Sequence, residues 1–342
     1  MGLCHLICLL HRHDIFAAER HSQQRGRMKM NNNSLSFLGL ALIALFPVLG
    51  WNDYILHTAI LILLWGFIYT GWSIMGRFGL TSLGHGALVG VGAYVTTMLW
   101  NHAGISPWIG LPLAIISSVF VALAIGYPCF RLKITGHYFA LVTLALGEVA
   151  LLLVVALREQ TGGSLGVTPK NAIEDGQDFS VWALQFNDKT VWFYIIFAVW
   201  ILGLLVWRYI DRSMMRYALE AANEEEDAAA SLGIPVTKTK LIVTAISASF
   251  AAIGGCLYAQ YQMYLNPHSV SGIAISLQIV FAVIAGGMKI PLGPTIGAAF
   301  TLLLAEILRQ LFGHEIHGLD VIIYGGMLVF FIIYMPQGIG GS

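Results

Sequence analysis

Polar and ionisable side chains interrupt several apolar stretches that are long enough to cross a membrane. Ser82 and His85 lie in GLTSLGHGALVGVGAY, and Glu148 lies at the end of RLKITGHYFALVTLALGE. An acidic group at the centre of a membrane-spanning helix costs about 2.5–3.5 kcal/mol on insertion scales, so it should face protein or water. These residues are therefore candidates for lining a passage. Pairing or packing against another helix is the alternative.

The motifs of ATP-hydrolysing enzymes and of zinc proteases are missing. The sequence has no GxxxxGK[ST] phosphate loop and no HExxH helix, which would supply a cradle for ATP phosphates or a pair of zinc ligands. Cys4, Cys8, His11 and His13 lack the further ligands and the surrounding fold of a metal site. We expect no catalytic residues, no metal and no cofactor on this chain.

The elements that position the candidate residues are predicted to be membrane-spanning helices. Hydrophobic residues make up 57% of the 342 residues and charged residues only 11%, against about 25% charged in a soluble domain. The predicted fold class is all-α, a polytopic transmembrane helical bundle with about 8–10 spans. The candidate spans run over residues 35–51, 54–72, 79–100, 108–130, 137–157, 191–210, 241–262, 272–288, 292–312 and 319–336. Gly and Pro make broken or re-entrant helices the alternative for the third, eighth and ninth.

The distribution of Lys and Arg predicts the orientation. Placing both termini in the cytoplasm puts most positive residues, including Arg77, Arg131 and Lys240, on the cytoplasmic side, where insertion retains them. The formal net charge of +0 excludes the global basic field that nucleic-acid binding requires. The bilayer is therefore the expected surrounding, and nucleic acid is not an expected partner.

Two long loops divide the predicted transmembrane domain of residues 35–342, which follows a cytoplasmic extension of residues 1–34 that we expect to be disordered. The outer loop, 158–190, has acidic residues and aromatic residues that could form a small folded cap. The inner loop, 211–240, is charged and Ala-rich, a pattern typical of an amphipathic helix on the cytoplasmic face.

Within the inner loop, small residues follow an acidic residue and precede a glycine. The sequence DAAASLG contains Asp227, Ala228, Ala229 and Gly233. A short helix that ends at a glycine with positive φ would present a flat surface of small side chains to a partner. The alternative is an ordinary solvated surface helix.

Taken in order, the motifs resemble those of the LivM-type branched-chain amino-acid ABC importer permeases, the binding-protein-dependent transport family. The resemblance extends from about Ile55 to Gly340. It rests on SLGHG and GVGAY at 82–94, RLKITGHYFALVTLALGE at 131–148, TGGSLGV at 161–167, DAAASLG at 227–233, NPHSVSG at 266–272, AGGMKIPLGPTIGAA at 285–299 and MPQGIGG at 335–341. Leu88 and Val89, where the family commonly has aromatic residues, and His137, where proline is common, depart from the pattern.

The resemblance implies a permease subunit in a bacterial inner membrane that moves aliphatic amino acids by alternating access. The implied partners are a homologous LivH-type permease, two cytoplasmic ATP-binding subunits that use ATP and Mg, and a periplasmic substrate-binding protein. The implied ATPase-coupling residues are Asp227, Ala228, Ala229 and Gly233. Thr161, Gly162 and Gly163 are candidates for facing the binding protein. The candidates for the translocation path are Ser82, His85, Tyr94, Tyr138, Thr143, Glu148 and Ser276.

Other functions remain open at this point. A permease of the same family for urea, short amides or another small solute would share these motifs, because motifs define the machine better than the cargo. An autonomous secondary transporter or channel would need charges inside the membrane for ion coupling, and Glu148 and Glu306 are the obvious carboxylates for that. A membrane enzyme would need a catalytic constellation.

Overall fold

The computed structural model of the chain describes residues 43–50, 52–173, 179–312 and 325–326. The chain divides into two units, Met1–Asn52 and Asp53–Ser342. In the first unit, a 3-10 turn covers Phe46–Leu49 and ends at Gly50, whose φ is +69°. The predicted extension of residues 1–34 lies outside the described residues.

The second unit is helical, with one small hairpin among the residues described. Its helices, numbered here in chain order, are α1 Asp53–Gly76, α2 His85–Ala103, α3 Pro107–Arg131, α4 Gly136–Ala156, α5 Arg158–Thr161, α6 Lys189–Arg212, α7 Met214–Glu224, α8 Glu226–Ser231, α9 Val236–Gln262, α10 Pro267–Val270, α11 Ile273–Gly286 and α12 Gly293–Phe312. The predicted all-α membrane bundle is confirmed.

Six helical segments within the described residues are long and apolar enough to cross a membrane: α1, α3, α4, α6, α9 and the combined segment of α10 and α11, Pro267–Gly286. They correspond to six of the ten predicted spans. Helices α2 and α12 match two further predicted spans in position. Apart from residues 325–326, the predicted span 319–336 lies outside the described residues, as does much of 35–51.

The third and eighth predicted spans differ in length from the expectation. Helix α2 begins at His85 rather than at residue 79, because Gly79 has a φ of +77° and turns the chain away from a helix. Helix α11 has 14 residues, which corresponds to about 21 Å at the usual rise per residue. That length is shorter than the roughly 30 Å of a hydrocarbon core. The eighth predicted span thus corresponds to a segment broken between Val270 and Ile273, whereas α2 is one continuous helix of 19 residues.

Helix α9 is the central element of the bundle and packs against α1, α2 and α3. Its approach to α2 depends on glycine: a Cβ added to Gly92 would overlap the backbone of Ala252, and one added to Gly255 would overlap the carbonyl oxygen of Val89. Small residues at a helix crossing allow the two backbones to come close, which replaces the hydrophobic driving force that lipid does not provide.

Helices α3 and α4 are the least covered helices of the bundle. Only 28% and 22% of their apolar windows are buried, against 83% in α1. Leu141, Val149 and Leu152 are among the exposed large side chains of α4. The outward faces of these two helices must be covered by lipid or by another protein.

The described part of the outer loop consists of short, ordered pieces. After α5 a 3-10 turn covers Gly163–Leu165, and an antiparallel hairpin pairs β1, Phe179–Ser180, with β2, Gln185–Phe186. Val167 forms an isolated bridge with Leu265. These turns and the hairpin agree with the predicted small cap.

The close crossing of α2 and α9 leads to a prediction about packing. Gly92→Ala should lower the unfolding free energy by about 1–3 kcal/mol, because its Cβ meets backbone that cannot move aside. Gly147→Ala is the matched control, since its Cβ would lie 3.5 Å from the nearest heavy atom, Gly84 Cα, an ordinary contact. Unfolding titrations in mixed detergent measure both. An equal response of the two variants would contradict this account of the crossing.

Candidate translocation path and coupling loop

Helix α2 begins inside the bundle, and side chains from two other helices satisfy one of its first backbone amides and one amide of the segment that leads into it. The Leu83 N–H donates to Thr143 Oγ1 at 3.0 Å, and the Gly86 N–H donates to Ser276 Oγ at 3.0 Å. Thr143 lies on α4 and Ser276 on α11, and both side chains are buried. The first amides of a helix have no partner within the helix and must find one elsewhere.

These hydrogen bonds bring together three of the segments predicted from sequence. Gly84 packs on the backbone of Thr143, so closely that a Cβ would overlap its carbonyl oxygen, and Gly86 lies against Gly272 and Ser276. Residues 79–94, 137–148 and 276–287 therefore share one region of the bundle. The hydroxyls of Thr143 and Ser276 accept hydrogen bonds from backbone amides there. The sequence predicted both residues as polar path candidates but did not predict these bonds.

A narrow cleft opens beside this junction. Its volume is about 20 Å³, room for about one water molecule, and its lining is mainly apolar, with Leu88 and Phe139 contributing together with Ser82, Thr143 and Thr244. Ser82 is buried, and its carbonyl oxygen accepts a hydrogen bond from Trp72 Nε1 at 2.8 Å. Two of the predicted path residues, Ser82 and Thr143, thus line a common cleft.

His85 and Tyr94 lie on α2 but do not line this cleft. His85 is fully buried, and neither of its ring nitrogens has a hydrogen-bond partner among the described residues. The Tyr94 hydroxyl is likewise buried without such a partner. Unpaired polar atoms in a packed interior are uncommon and mark a position where water or another ligand would be favoured.

The two remaining path candidates on α4 point away from the cleft. Tyr138 is 75% exposed. Glu148 is partly exposed and forms no hydrogen bond or ion pair with the described residues. The structure therefore separates the candidates into an inner group around the start of α2 and an outer group on the uncovered face of α4.

The predicted coupling loop, 211–240, contains two short helices rather than one. Helices α7 and α8 are separated at Glu225, and α9 has begun by Val236. Ala222, Ala229 and Val236 form a small buried cluster that fixes the two helices to the start of α9. Gly233, two residues after the end of α8, has a φ of +84°, so the predicted left-handed turn is confirmed. A Cβ at this position would meet no other atom within 4 Å.

Two ion pairs attach the coupling loop to the helix ends. Asp227 pairs with Lys133 in the α3–α4 turn, and this hydrogen bond raises the pKa of Lys133. Glu226 pairs with Lys240 of α9 at 2.6 Å, with only 5% of the lysine side chain exposed. Ala228, on the same short helix, is exposed. The sequence singled out Asp227 but missed Glu226, Lys133 and Lys240, whose pairing depends on the folding of separate segments.

The three residues predicted to face a binding protein form a tight turn. Thr161 is buried, and its hydroxyl donates to the carbonyl of Leu157 and accepts from the Gly163 N–H. Gly162 and Gly163 have φ values of +75° and +59°. The exposed side chains at this turn are those of Ser164 and Leu165, so a docked protein would meet these side chains first.

Residues 162–166 also have the spacing GxSxG of a hydrolase nucleophile. That motif requires a strand, a sharp turn and a helix, with a histidine beside the serine. Here Ser164 lies in a 3-10 turn after a one-turn helix, and its side chain has no hydrogen bond to the described residues. The resemblance to the motif is one of spacing alone. The described residues also contain no group of three or more His, Cys, Asp or Glu that could hold a metal ion.

The family profile described as the permease component of a branched-chain amino acid transport system matches residues 54–332. This range includes the α2 junction, the outer turn and the coupling loop. The chain belongs to this permease family. Membership accounts for the order of the motifs and for the multi-pass architecture together.

Individual relatives agree with the family. The high-affinity branched-chain amino acid transport system permease protein LivM of Salmonella typhimurium is 32% identical over 287 residues, which cover 78% of this chain and 65% of that protein. LivM of Escherichia coli matches with the same identity and coverage. A probable LivH permease of Methanocaldococcus jannaschii is 25% identical, covering 80% and 90% of the two chains. The match thus spans less than two-thirds of the LivM relatives. No solved structure matches the chain.

The buried ion pair of the coupling loop leads to a stability prediction for this permease. Glu226→Gln should lower the unfolding free energy by about 3 kcal/mol, because it leaves the Lys240 ammonium buried without a counter-charge. Lys133→Gln is the control, because it removes a solvent-exposed pair and should leave stability unchanged within error. Detergent unfolding titrations compare them. The assignment fails if Lys133→Gln destabilises as strongly as Glu226→Gln.

Proposed function

We propose that this chain is the transmembrane permease subunit of an ABC importer that moves branched-chain, aliphatic amino acids across the bacterial inner membrane. The carrying observation is the family match over residues 54–332. The chain contributes no catalytic residues, metal or cofactor, and ATP and Mg belong to partner ATPase subunits. Both termini are cytoplasmic, as the distribution of Lys and Arg predicts.

The proposed coupling site is the surface of α7 and α8 together with Gly233. The buried cluster of Ala222, Ala229 and Val236 gives these short helices a fixed base. The exposed Asp227 and Ala228 then face a cytoplasmic partner. Movement imposed on α8 by two ATP-binding subunits would reach α9 through the Glu226–Lys240 pair. It would reach the α3–α4 turn through Asp227 and Lys133.

The proposed passage runs along α4, completed by a second, LivH-type permease. Glu148 lies on the helix with the least covered apolar window and has no partner in the described part of the chain. If lipid covered that face, the carboxylate would lie beside hydrocarbon at a cost of several kcal/mol. A second subunit there would give Glu148 and Tyr138 a protein or water surrounding.

Delivery of the amino acid is proposed to take place at the outer loop. A periplasmic binding protein would dock on the turn at Thr161, Gly162 and Gly163, where Leu165 is 74% exposed. The loop is fixed to the bundle by the Val167–Leu265 bridge. Docking could therefore be communicated to α10 and α11 without passing through the coupling loop.

The coupling assignment predicts the effect of substitution at Gly233. Gly233→Val should abolish ATP-driven uptake while membrane insertion and affinity for the binding protein stay intact, because the left-handed turn disfavours a side chain by about 1–2 kcal/mol. Gly104→Val is the matched control: Gly104 also has positive φ and open space, at the C-terminus of α2. Uptake into vesicles at equal expression measures the difference. Normal uptake by Gly233→Val would refute the assignment.

The cargo assignment predicts selective uptake of aliphatic amino acids. The complete transporter, reconstituted with its own binding protein, should accumulate leucine, isoleucine and valine with ATP and should not accumulate urea or ribose. The similarity to branched-chain amino acid permeases is the reason for this expectation. Uptake of urea or ribose without any aliphatic amino acid would overturn the cargo and keep the permease. ATP-independent uptake by the chain alone would favour a secondary transporter.

A further inference from the structure

Arg77 lies immediately after α1 in an unusual setting. Only 5% of its side chain is exposed, and one nitrogen, Nη1, pairs with Asp211 at 3.0 Å. Nε and Nη2 have no hydrogen-bond partner among the described residues. The guanidinium carbon lies 4.3 Å from the ring centroid of Trp207 and 4.7 Å from that of Phe78. The guanidinium thus lies against two aromatic rings, and two of its three nitrogens have no hydrogen-bond partner among the described residues.

The surrounding pocket contains more positive than negative charge. It has a volume of about 150 Å³ and is lined by Arg77, Phe78, Asp211, Arg216, Glu220 and Lys289. Asp211 also accepts from Arg216 at 3.3 Å, and Glu220 accepts from Arg216 at 2.8 Å. The Lys289 side chain has no ion pair within the described residues and is exposed. Three cations and two carboxylates leave one positive charge uncompensated.

Burial lowers the pKa of the Arg77 guanidinium, and the attraction of Asp211 opposes the shift. Arginine nevertheless stays protonated at any physiological pH. The pocket therefore holds a permanent, incompletely balanced cation, which an anion with one net negative charge would neutralise.

The pocket also lies where lipid head groups are expected. It is formed by the end of α1, the end of α6, the start of α7 and the turn between α11 and α12, so the ends of three helices meet there. Tyr209, Met214 and Tyr217, which neighbour Asp211 and Arg216 in sequence, are strongly exposed. Exposed aromatic residues at helix ends are typical of the membrane interface. The predicted orientation puts Arg77 on the cytoplasmic side, and basic pockets between spans on that side of a membrane are suited to anionic head groups.

We propose that the pocket of Arg77, Arg216 and Lys289 binds a singly charged phosphate group, supplied by the head group of an anionic phospholipid. The phosphate would occupy the space between Lys289 and the two guanidinium groups. Because Arg216 lies on α7, a bound lipid would also hold the coupling loop to the ends of α1 and α12. The same chemistry could be met by free phosphate, and the experiment separates these sources.

Native mass spectrometry of the full chain in detergent provides the test, with dioctanoyl phosphatidylglycerol as probe and dioctanoyl phosphatidylcholine as the neutral comparison. One phosphatidylglycerol should be retained in preference to phosphatidylcholine. Lys289→Gln should weaken its binding about fivefold, the effect of one cation near a lipid surface. Lys238→Gln, an exposed lysine outside the pocket, should leave binding unchanged.

Two further measurements distinguish a lipid head group from free phosphate and test whether a loss of binding comes from a loss of folding. Release of phosphatidylglycerol by millimolar inorganic phosphate would assign the site to phosphate in general, whereas resistance to it would assign the site to lipid. Arg77→Lys keeps the charge and loses the planar fork, so it should weaken binding while the unfolding midpoint stays close to that of the unmodified chain. The proposal is overturned if both lipids bind equally, or if Lys289→Gln and Lys238→Gln behave alike.

Discussion

A helix that starts inside a membrane protein must find partners for its first backbone amides, and this requirement organises the centre of the bundle. Water is not available there, and an unsatisfied amide costs several kcal/mol. Ser276 from α11 accepts from the Gly86 amide in the first turn of α2, and Thr143 from α4 accepts from the Leu83 amide, two residues before the helix. Those bonds demand close approach, which Gly84 and Gly86 allow. The position of α4 and α11 relative to α2 is thus defined by two hydroxyl groups and two glycines.

At the coupling loop, ion pairs join the short helices to the bundle, as hydrogen bonds join α2 to its neighbours. Asp211 links Arg77 at the end of α1 with Arg216 on α7, and Glu226 links α8 with Lys240 on α9. An exposed pair adds little stability, but a mostly buried one resists separation because each charge left alone would be poorly solvated. A force applied to the short helices would therefore be carried to α1 and α9 as a unit. This is the physical basis for the proposed transmission of movement from the ATPases.

Sequence analysis predicted the helices well where a long apolar run carries the signal, as in α1, α3, α4, α6 and α9. It also predicted the turn at Gly233, because a glycine after a short helix indicates positive φ by itself. It placed the start of α2 six residues too early, since Leu80 and Leu83 in GLTSLG would fit a helix as well as the irregular segment that they occupy. The hydroxyl partners of α2 were named only as path candidates. Their bonds join residues 60 and 190 positions apart, and no local pattern encodes such pairs.

The distribution of polar atoms bears on how cargo could be selected. In the cleft, the Thr143 oxygen is engaged by Leu83, and the Ser82 carbonyl accepts from Trp72. Few free polar groups remain there to hold an ammonium or a carboxylate, so an amino acid would bind this chain weakly. Weak binding suits a passage, because a tightly held solute leaves slowly. Glu148, which has no partner among the described residues, lies on the open face of α4 and is the charge available to the inferred path. This is a reason to place the passage between two permeases rather than within one.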